Sequence, residues 1–364
     1  MSDDTSTADS MDSAAVLTEL GWDEHFATAF AARSGSGSIA GRVARVDRGR
    51  CDVLTETGLI RVTVRPGTVD DTLVGTGDWI VADIGRSGEF ELAGVLPRRS
   101  AIVRATTDRT SRQQLLAANV DVVLIAVSLD SPFKIGRFER LAAIAWDSGA
   151  RPVVVLTKSD LRRNPEAAAA EVATVAPGVD IVVTSAASGH GLGQLKENVS
   201  GTAALLGSSG AGKSSLANAL LGRDHLATEA VREVDGKGRH TTVHRQLVPL
   251  PGGGVLIDTP GLRGIGLQDV SDGIDRVFAD IDDLAAQCRF SDCGHRTEPG
   301  CAVLGAVADG TLDAERLERF RALLRESEWR STRADARRDN ARREREKAIA
   351  RHQKAMYRFR DRQR

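Results

Sequence analysis

The sequence predicts a multi-domain fold: an N-terminal β-barrel of the OB type, a central α/β domain with a parallel sheet, and a C-terminal helical domain around a cysteine cluster. Three observations predict it. Short β-rich runs separated by Gly-containing turns crowd into residues 39–97, as in small antiparallel barrels. Apolar strand-like runs then alternate with helical stretches over residues 98–267, the pattern of a sheet covered on both faces. Three cysteines and one histidine fall within residues 288–301, ahead of an amphipathic helical run over 313–328.

Residues 1–38 read as an acidic tail, a helix and a linker. The first 25 residues hold seven Asp/Glu and no Lys or Arg. Leu17, Leu20, Phe26 and Phe30 supply the apolar positions of one short helix within 12–32, and Arg33–Ser38 (RSGSGS) has the composition of a flexible linker. No apolar run approaches the roughly 20 residues that span a bilayer. An acidic, polar start does not resemble a signal peptide. The expectation is a cytoplasmic protein without a membrane partner.

The barrel runs are GRVARVD, RCDVLTE, LIRVTVR, GDWIVADI and FELAGVL. Barrels of this kind often bind oligonucleotides. Trp79 and Phe90 are the segment's aromatics, too few for a base-stacking platform. One reading is therefore phosphate and shape contact with RNA through Arg42, Arg45, Arg48, Arg50 or Arg61. The other is a barrel that only docks onto the next domain.

In the α/β region the strand-like runs are 120–128, 153–157, 180–184, 203–206 and 255–258, with helices over 137–148, 165–175, 192–199 and 213–222. HRQLVPL before PGGG and VLID reads as one antiparallel hairpin. Gly207, Ser208, Ser209, Gly210, Ala211, Gly212, Lys213 and Ser214, with Ser215 next, follow a strand and open a helix. This G-x-x-x-x-G-K-S spacing cradles phosphates with backbone N–H groups at a helix N-terminus. Lys213 reaches the β- and γ-phosphates, and the Ser214 hydroxyl binds Mg²⁺. Asp258 ends a strand 45 residues after Lys213 and holds Mg²⁺ through water; the Gly261 N–H senses the γ-phosphate. Gly238–Thr242 occupies the place of the first switch, where Thr241 or Thr242 completes the Mg²⁺ shell.

Thr157-Lys158-Ser159-Asp160 follows the strand PVVVL. A carboxylate at Asp160 accepts from guanine N1–H and the 2-amino group, a pairing adenine cannot offer, and such sites discriminate by roughly 10⁴ or more. Lys158 lays its stem on the base. Thr157 stands where Asn is common and lacks its amide. Ser185-Ala186, 25 residues after Asp160, suits the loop whose N–H meets guanine O6. The guanine signature thus precedes the phosphate loop, the reverse of the ordinary order, and predicts a circularly permuted GTPase. The second switch then leads directly into the C-terminal region. Where a Gln would orient the attacking water, this chain has Leu262. His240 in the first switch either takes that role or makes structural or partner contacts.

Cys288, Cys293, His295 and Cys301 form a Cys₃His set spaced C-x4-C-x-H-x5-C, the ligand type of a closed structural zinc site. A disulfide or buried thiols are the alternatives. Cys51, inside a strand, reads as a core residue. Residues 330–364 hold 14 Lys/Arg against five Asp/Glu, a net of +9. That charge is either an RNA footprint or a solvated helix face.

Together these features resemble the circularly permuted, small-ribosomal-subunit-dependent GTPases of the RsgA type. The resemblance covers about residues 39–305 and includes VDVVLIAVSLDSPF, RFSDCGHRTEPGCAV and GDWIVADI. It implies an OB-fold domain, a permuted GTPase domain and a zinc-containing C-terminal domain, which the sequence places at 39–97, 98–267 and 268–364. It implies GTP hydrolysis stimulated by the small ribosomal subunit and a role in its late maturation. The expected protein is a monomer that binds rRNA with GTP and leaves after hydrolysis; the alternative is an RNA-binding assembly module whose hydrolysis is incidental. The resemblance supports His240 as the water-positioning residue, and Cys288, Cys293, His295 and Cys301 as zinc ligands. Thr157, the acidic head and the long Arg-rich tail depart from the family pattern.

Overall fold

The computed structural model describes residues 13–65, 74–105, 113–199, 201–222, 245–258, 270–329 and 332. The first twelve residues and nearly all of the basic tail lie outside them. Two compact units emerge: Met1–Val103 with Leu115–Gly264, and Arg104–Gln114 with Ile265–Arg364.

The first unit begins with two helices, α1 (Ser13–Glu19) and α2 (Glu24–Ala31), where the sequence predicts one. Gly21 breaks the run at φ +93°, a left-handed conformation that favours glycine. A Cβ there would sit 2.9 Å from Arg42 Nη1. Asp23 then caps α2, accepting from His25 N at 3.0 Å and Phe26 N at 3.3 Å. Trp22 meets Trp79 edge-on at 4.8 Å between ring centroids, and buried Phe26 lies against the same ring at 5.7 Å. Helix α2 and the turn before it are thereby packed onto the barrel.

Strands β1 (Ile39–Asp47), β2 (Arg50–Thr55), β3 (Gly58–Thr63), β4 (Trp79–Ile84) and β5 (Phe90–Val95) close a barrel in the order β1-β2-β3-β5-β4. All five expected runs are strands. Alternation directs Val43, Cys51, Val53, Val62, Ile80, Ala82 and Leu92 inward. Burial pushes the Cys51 thiol up to about 12, consistent with an inert core residue.

Arg42 points the other way along β1, yet it is only 1% exposed. It is not a surface contact for RNA. Its guanidinium donates to the Leu20 carbonyl before α2, to Gly77 O at 3.3 Å, to Asn119 O at 3.1 Å and to Thr202 Oγ1 at 2.6 Å. Trp79 covers it at 5.3 Å. Burial brings its pKa down to about 10, while Asp121 and Asp78 act in the opposite direction; the group stays charged. Arg45 and Arg61 share Asp47 at 3.0 and 2.7 Å, whereas Arg48 and Arg50 lie exposed beside the β1–β2 turn.

The second layer of this unit is a six-stranded sheet ordered β10-β9-β8-β11-β13-β12. Its strands are β8 (Val122–Ser128), β9 (Arg151–Thr157), β10 (Asp180–Val183), β11 (Thr202–Gly207), β12 (Gln246–Pro249) and β13 (Val255–Asp258). All pairings are parallel except β12–β13, the hairpin the sequence predicts. Helices α3 (Ile135–Asp147), α4 (Pro165–Val175), α5 (Leu192–Asn198) and α6 (Lys213–Leu221) fall where helices were expected. The continuous apolar strands Val122–Ala126 and Val153–Leu156 are fully buried, as in a sheet covered on both faces. Strands β6 (Ala101–Ala105) and β7 (Gln113–Ala118) form a separate two-stranded sheet. QQLLAA has little β-propensity of its own, and pairing overrides the local preference.

The second unit contains helices Ser271–Val277, Ala279–Ala285 and Ala302–Ala308, and helical residues over 314–329. Arg316, nearly buried, forms two bonds of 2.7 Å to Asp280, donates to Val277 O at 3.0 Å and lies 4.8 Å from the Phe278 ring. Phe278 and Phe320 pack at 5.3 Å.

Candidate nucleotide site and metal centre

The sheet order brings the reversed motifs together. β8 and β9 step one way across the sheet, while β11 pairs with the other edge of β8 and leads toward β13. The strand order therefore reverses between β8 and β11, and ligands of α/β sheets bind at the carboxyl ends around such a point. The guanine signature follows β9, Ser185-Ala186 follows β10, the phosphate loop follows β11 and Asp258 ends β13.

The phosphate loop turns on glycines that other residues replace badly. Gly207 has φ +145°, and a Cβ there would approach Ala126 O to 2.5 Å. Gly212 has φ +79° and packs on Thr157. Lys213 and Ser214 open α6, with Ser215 in its first turn. The Lys213 ammonium donates to Gly207 O at 3.0 Å and Ser208 O at 2.6 Å, on the loop's own carbonyls. Ser208, Ser209 and Gly210 form the turn between, and Ala211 is buried.

Thr157, buried at 4% exposure, donates its hydroxyl to Ala211 O at 2.8 Å. The residue that lacks the usual amide thus ties the signature to the phosphate loop. Leu129 N donates to Thr157 O at 3.0 Å and Ser159 N to Thr184 O at 3.1 Å, fixing the turn to β8 and to the end of β10. Asp160 lies in a 3₁₀ turn, Ser159–Leu161. Its carboxylate accepts from Ser185 Oγ at 2.5 Å, and Ser188 N donates to that oxygen at 3.2 Å. Ser185 thus orients the Asp160 carboxylate through its side chain, in addition to the backbone N–H role its position predicts.

Lys158 has left-handed backbone angles, φ 58° and ψ 39°. Its ammonium pairs with Asp130 Oδ2 at 2.6 Å. Sequence reasoning missed Asp130; its one signal was an acid two residues past the end of a strand, at the carboxyl end where ligands bind. A cavity of about 370 Å³ lies beside the pair, lined by residues including Asp130, Phe133, Leu156, Arg162 and Val172. No residue of the signature turn or the phosphate loop lines it.

His240, Thr241, Thr242, Gly261 and Leu262 lie outside the described residues.

In the second unit, Cys288, Cys293, His295 and Cys301 place one ligand atom each within 4.8 Å of the others, a group able to hold a metal ion. His295 Nδ1 lies 3.6 Å from Cys288 Sγ and 3.4 Å from Cys301 Sγ, and the two sulfurs are 3.8 Å apart. Cys301 caps helix Ala302–Ala308, its sulfur accepting from Leu304 N at 3.4 Å. Burial raises the Cys288 pKa, but the Val303 and Ala302 N–H groups outweigh it and leave the thiol below its usual range. Burial, then the Arg321 charge, lowers the His295 pKa against the opposing pull of Glu298. These two directions favour metal-binding forms, thiolate and neutral imidazole, whereas burial, with Cys301 and Cys288 beside it, pushes the Cys293 thiol up to about 11, so that ligand must lose its proton as the metal binds. Two supports went unforeseen. Glu298 accepts from Gly294 N, Arg296 N and Thr297 N at 3.0, 2.6 and 2.9 Å. Arg321 donates to the carbonyl of His295, which stands at φ +53°.

Comparison with known proteins matches residues 95–268 to the RsgA GTPase family model. The small ribosomal subunit biogenesis GTPase RsgA of Streptomyces coelicolor is 52% identical over 327 residues, covering 88% of this chain and 89% of that protein. The chain belongs to the RsgA GTPase family. It is accordingly a GTPase. The similarly named protein of Syntrophotalea carbinolica is 40% identical over 318 residues, covering 84% and 87% of the two chains. Among solved structures, YjeQ from Thermotoga maritima matches with a TM-score of 0.61 at 28% identity, covering 79% of this chain and 99% of that one. YloQ, described as a circularly permuted GTPase, shares the fold at 22% identity and a TM-score of 0.57, over 81% and 96% of the chains. The RsgA family and its permuted fold agree with the order of motifs. Among the described residues no helix is long and apolar enough to cross a membrane.

Proposed function

We propose that this RsgA-family chain hydrolyses GTP as a checkpoint in late maturation of the small ribosomal subunit, binding its rRNA in the GTP state and leaving after hydrolysis. The observation that carries the nucleotide part is the convergence of the signature and phosphate loop, joined by Thr157 Oγ1 and Ala211 O at 2.8 Å. The subunit part rests on relatives named small ribosomal subunit biogenesis GTPases. Asp160 reads guanine, Lys158 covers its face, and the N–H groups beside Ser185 and Ala186 meet O6. Gly207 through Gly212 wrap the phosphates, Lys213 reaches the β- and γ-phosphates, and Ser214 and Asp258 hold Mg²⁺ with Thr241 or Thr242. His240 positions the attacking water in place of the Gln that Leu262 replaces. The barrel at 39–97 and the region 268–364 flank the GTPase domain at 98–267 as RNA-facing elements of a cytoplasmic monomer. With Arg42 buried, the barrel's exposed Arg48 and Arg50 are its better candidates for phosphate contact.

Zinc suits the cysteine cluster. Bonds of about 2.3 Å to sulfur and about 2.0 Å to nitrogen give a tetrahedral ion ligand–ligand edges of roughly 3.5–3.8 Å. Among Cys288, His295 and Cys301, the separations of 3.6 and 3.8 Å fall in that range and 3.4 Å just below it, and Cys293 completes the set within 4.8 Å. With no water position left open, the ion would be structural.

The test is single-turnover GTP hydrolysis by the full chain with and without purified small subunits. Alone the protein should turn over slowly, and subunits should raise the rate by about tenfold or more, as partner-completed GTPase sites do. No stimulation would contradict the proposal.

A further inference from the structure

We propose that Asp130 is a positioning residue for guanine-nucleotide binding, holding Lys158 in place before the base arrives. The inference rests on the base-site reading above and adds a residue to it.

The geometry supplies the argument. Lys158 carries a left-handed backbone, φ 58°, which aims its side chain away from the path an extended strand would give it. Its ammonium ends 2.6 Å from Asp130 Oδ2, with the two side chains 33% and 37% exposed. Asp130 sits directly after Leu129, whose N–H bonds Thr157 O at 3.0 Å. The backbones carrying acid and base are therefore fixed relative to each other one residue away from the pair. The Lys158 ammonium also holds the Asp130 carboxyl below the usual carboxylate range, so that carboxylate is ionised at neutral pH.

The consequence is entropic. A free lysine loses rotamer freedom when it is ordered on a base, a loss that can reduce affinity about tenfold. A lysine already held by its ammonium has lost much of that freedom before binding, and its apolar stem remains available to the base face. The two base-reading residues are then both pre-oriented: Asp160 by Ser185, and Lys158 by Asp130.

The experiment is fluorescent-GDP titration of the full chain, its Asp130→Ala and Lys158→Met variants and the double variant, with GTP turnover measured alongside. Asp130→Ala should weaken GDP binding about fivefold to tenfold and raise the KM for GTP, with kcat retained. Its Tm should shift by no more than about 2 °C, because an exposed ion pair adds little to folding stability. In the Lys158→Met background, which keeps the stem and removes the charge, the same change should weaken binding less than about twofold, the coupling expected of contacting residues. Wild-type-like GDP affinity in Asp130→Ala would overturn the proposal, as would the same loss in both backgrounds. A wild-type chain with no preference for GDP over ADP would instead bring down the base-site reading, and this inference with it.

Discussion

Replacing Arg42 with methionine should destabilise the first compact unit by about 3–5 kcal/mol, the range seen when one member of a buried charged network is removed. Methionine keeps an apolar stem beside Trp79 but offers no donor. The Leu20, Gly77 and Asn119 carbonyls and the Thr202 hydroxyl would then each lose a partner in the interior. An orphaned buried acceptor costs about 1–3 kcal/mol. Asp78 and Asp121, which act on Arg42 through their charges, would lose a compensating cation. Arg42→Lys should fall between, since one ammonium cannot reproduce a planar fork that reaches four acceptors. Urea unfolding followed by tryptophan fluorescence checks this, because Trp22 and Trp79 pack at the same place. A loss below about 1 kcal/mol for Arg42→Met would mean that water replaces the guanidinium. Thr202 begins β11, the strand that ends in Gly207. The guanidinium therefore joins helices, barrel and phosphate-loop strand, and its loss should broaden the unfolding transition as well as shift it.

Removing the proposed zinc should unfold the cysteine-rich part of the second unit. Structural zinc contributes about 10 kcal/mol or more of apparent folding free energy in small sites, more than this segment's core can replace. The loop from Cys288 to Cys301 has few apolar side chains, and Phe290 is 41% exposed. Its order comes from the ligand cluster, the Glu298 carboxylate and the Arg321 contact. Cys301 is also the cap of helix Ala302–Ala308, so losing the metal should fray that helix. Hydrogen exchange on the full chain, with and without a strong chelator, is the check. Residues 288–308 should lose protection while β8, β9 and β11 keep theirs. Cys301→Ser should behave like the chelated protein. Unchanged protection around Cys301 after complete metal removal would contradict the assignment.

Much of this arrangement is legible in the sequence, for definite reasons. Motifs that need one backbone shape, such as Gly207–Ser214, place themselves wherever they occur. The cysteine spacing does the same for the metal group. The five barrel strands follow from period-two alternation broken by turns, and the buried parallel strands from unbroken apolar runs. Arg42 was misread because alternation says only that it faces away from Val43. It cannot show that the turn between α1 and α2 and the α/β sheet cover that outer face. The pair Asp130–Lys158 was invisible because it joins the ends of neighbouring strands separated by 28 positions. Gly21 could have warned that residues 12–32 hold two helices, because a glycine followed closely by a capping Asp is a stop and a start.

Whether nucleotide state governs attachment to the small subunit is read out by co-sedimentation. The full chain would be mixed with purified small subunits in the presence of either a non-hydrolysable GTP analogue or GDP, then pelleted through a cushion. The chain should stay on the subunits with the analogue and leave them with GDP. Equal retention in both states would show that hydrolysis does not control departure, and would favour an RNA-binding assembly module whose GTPase activity is incidental.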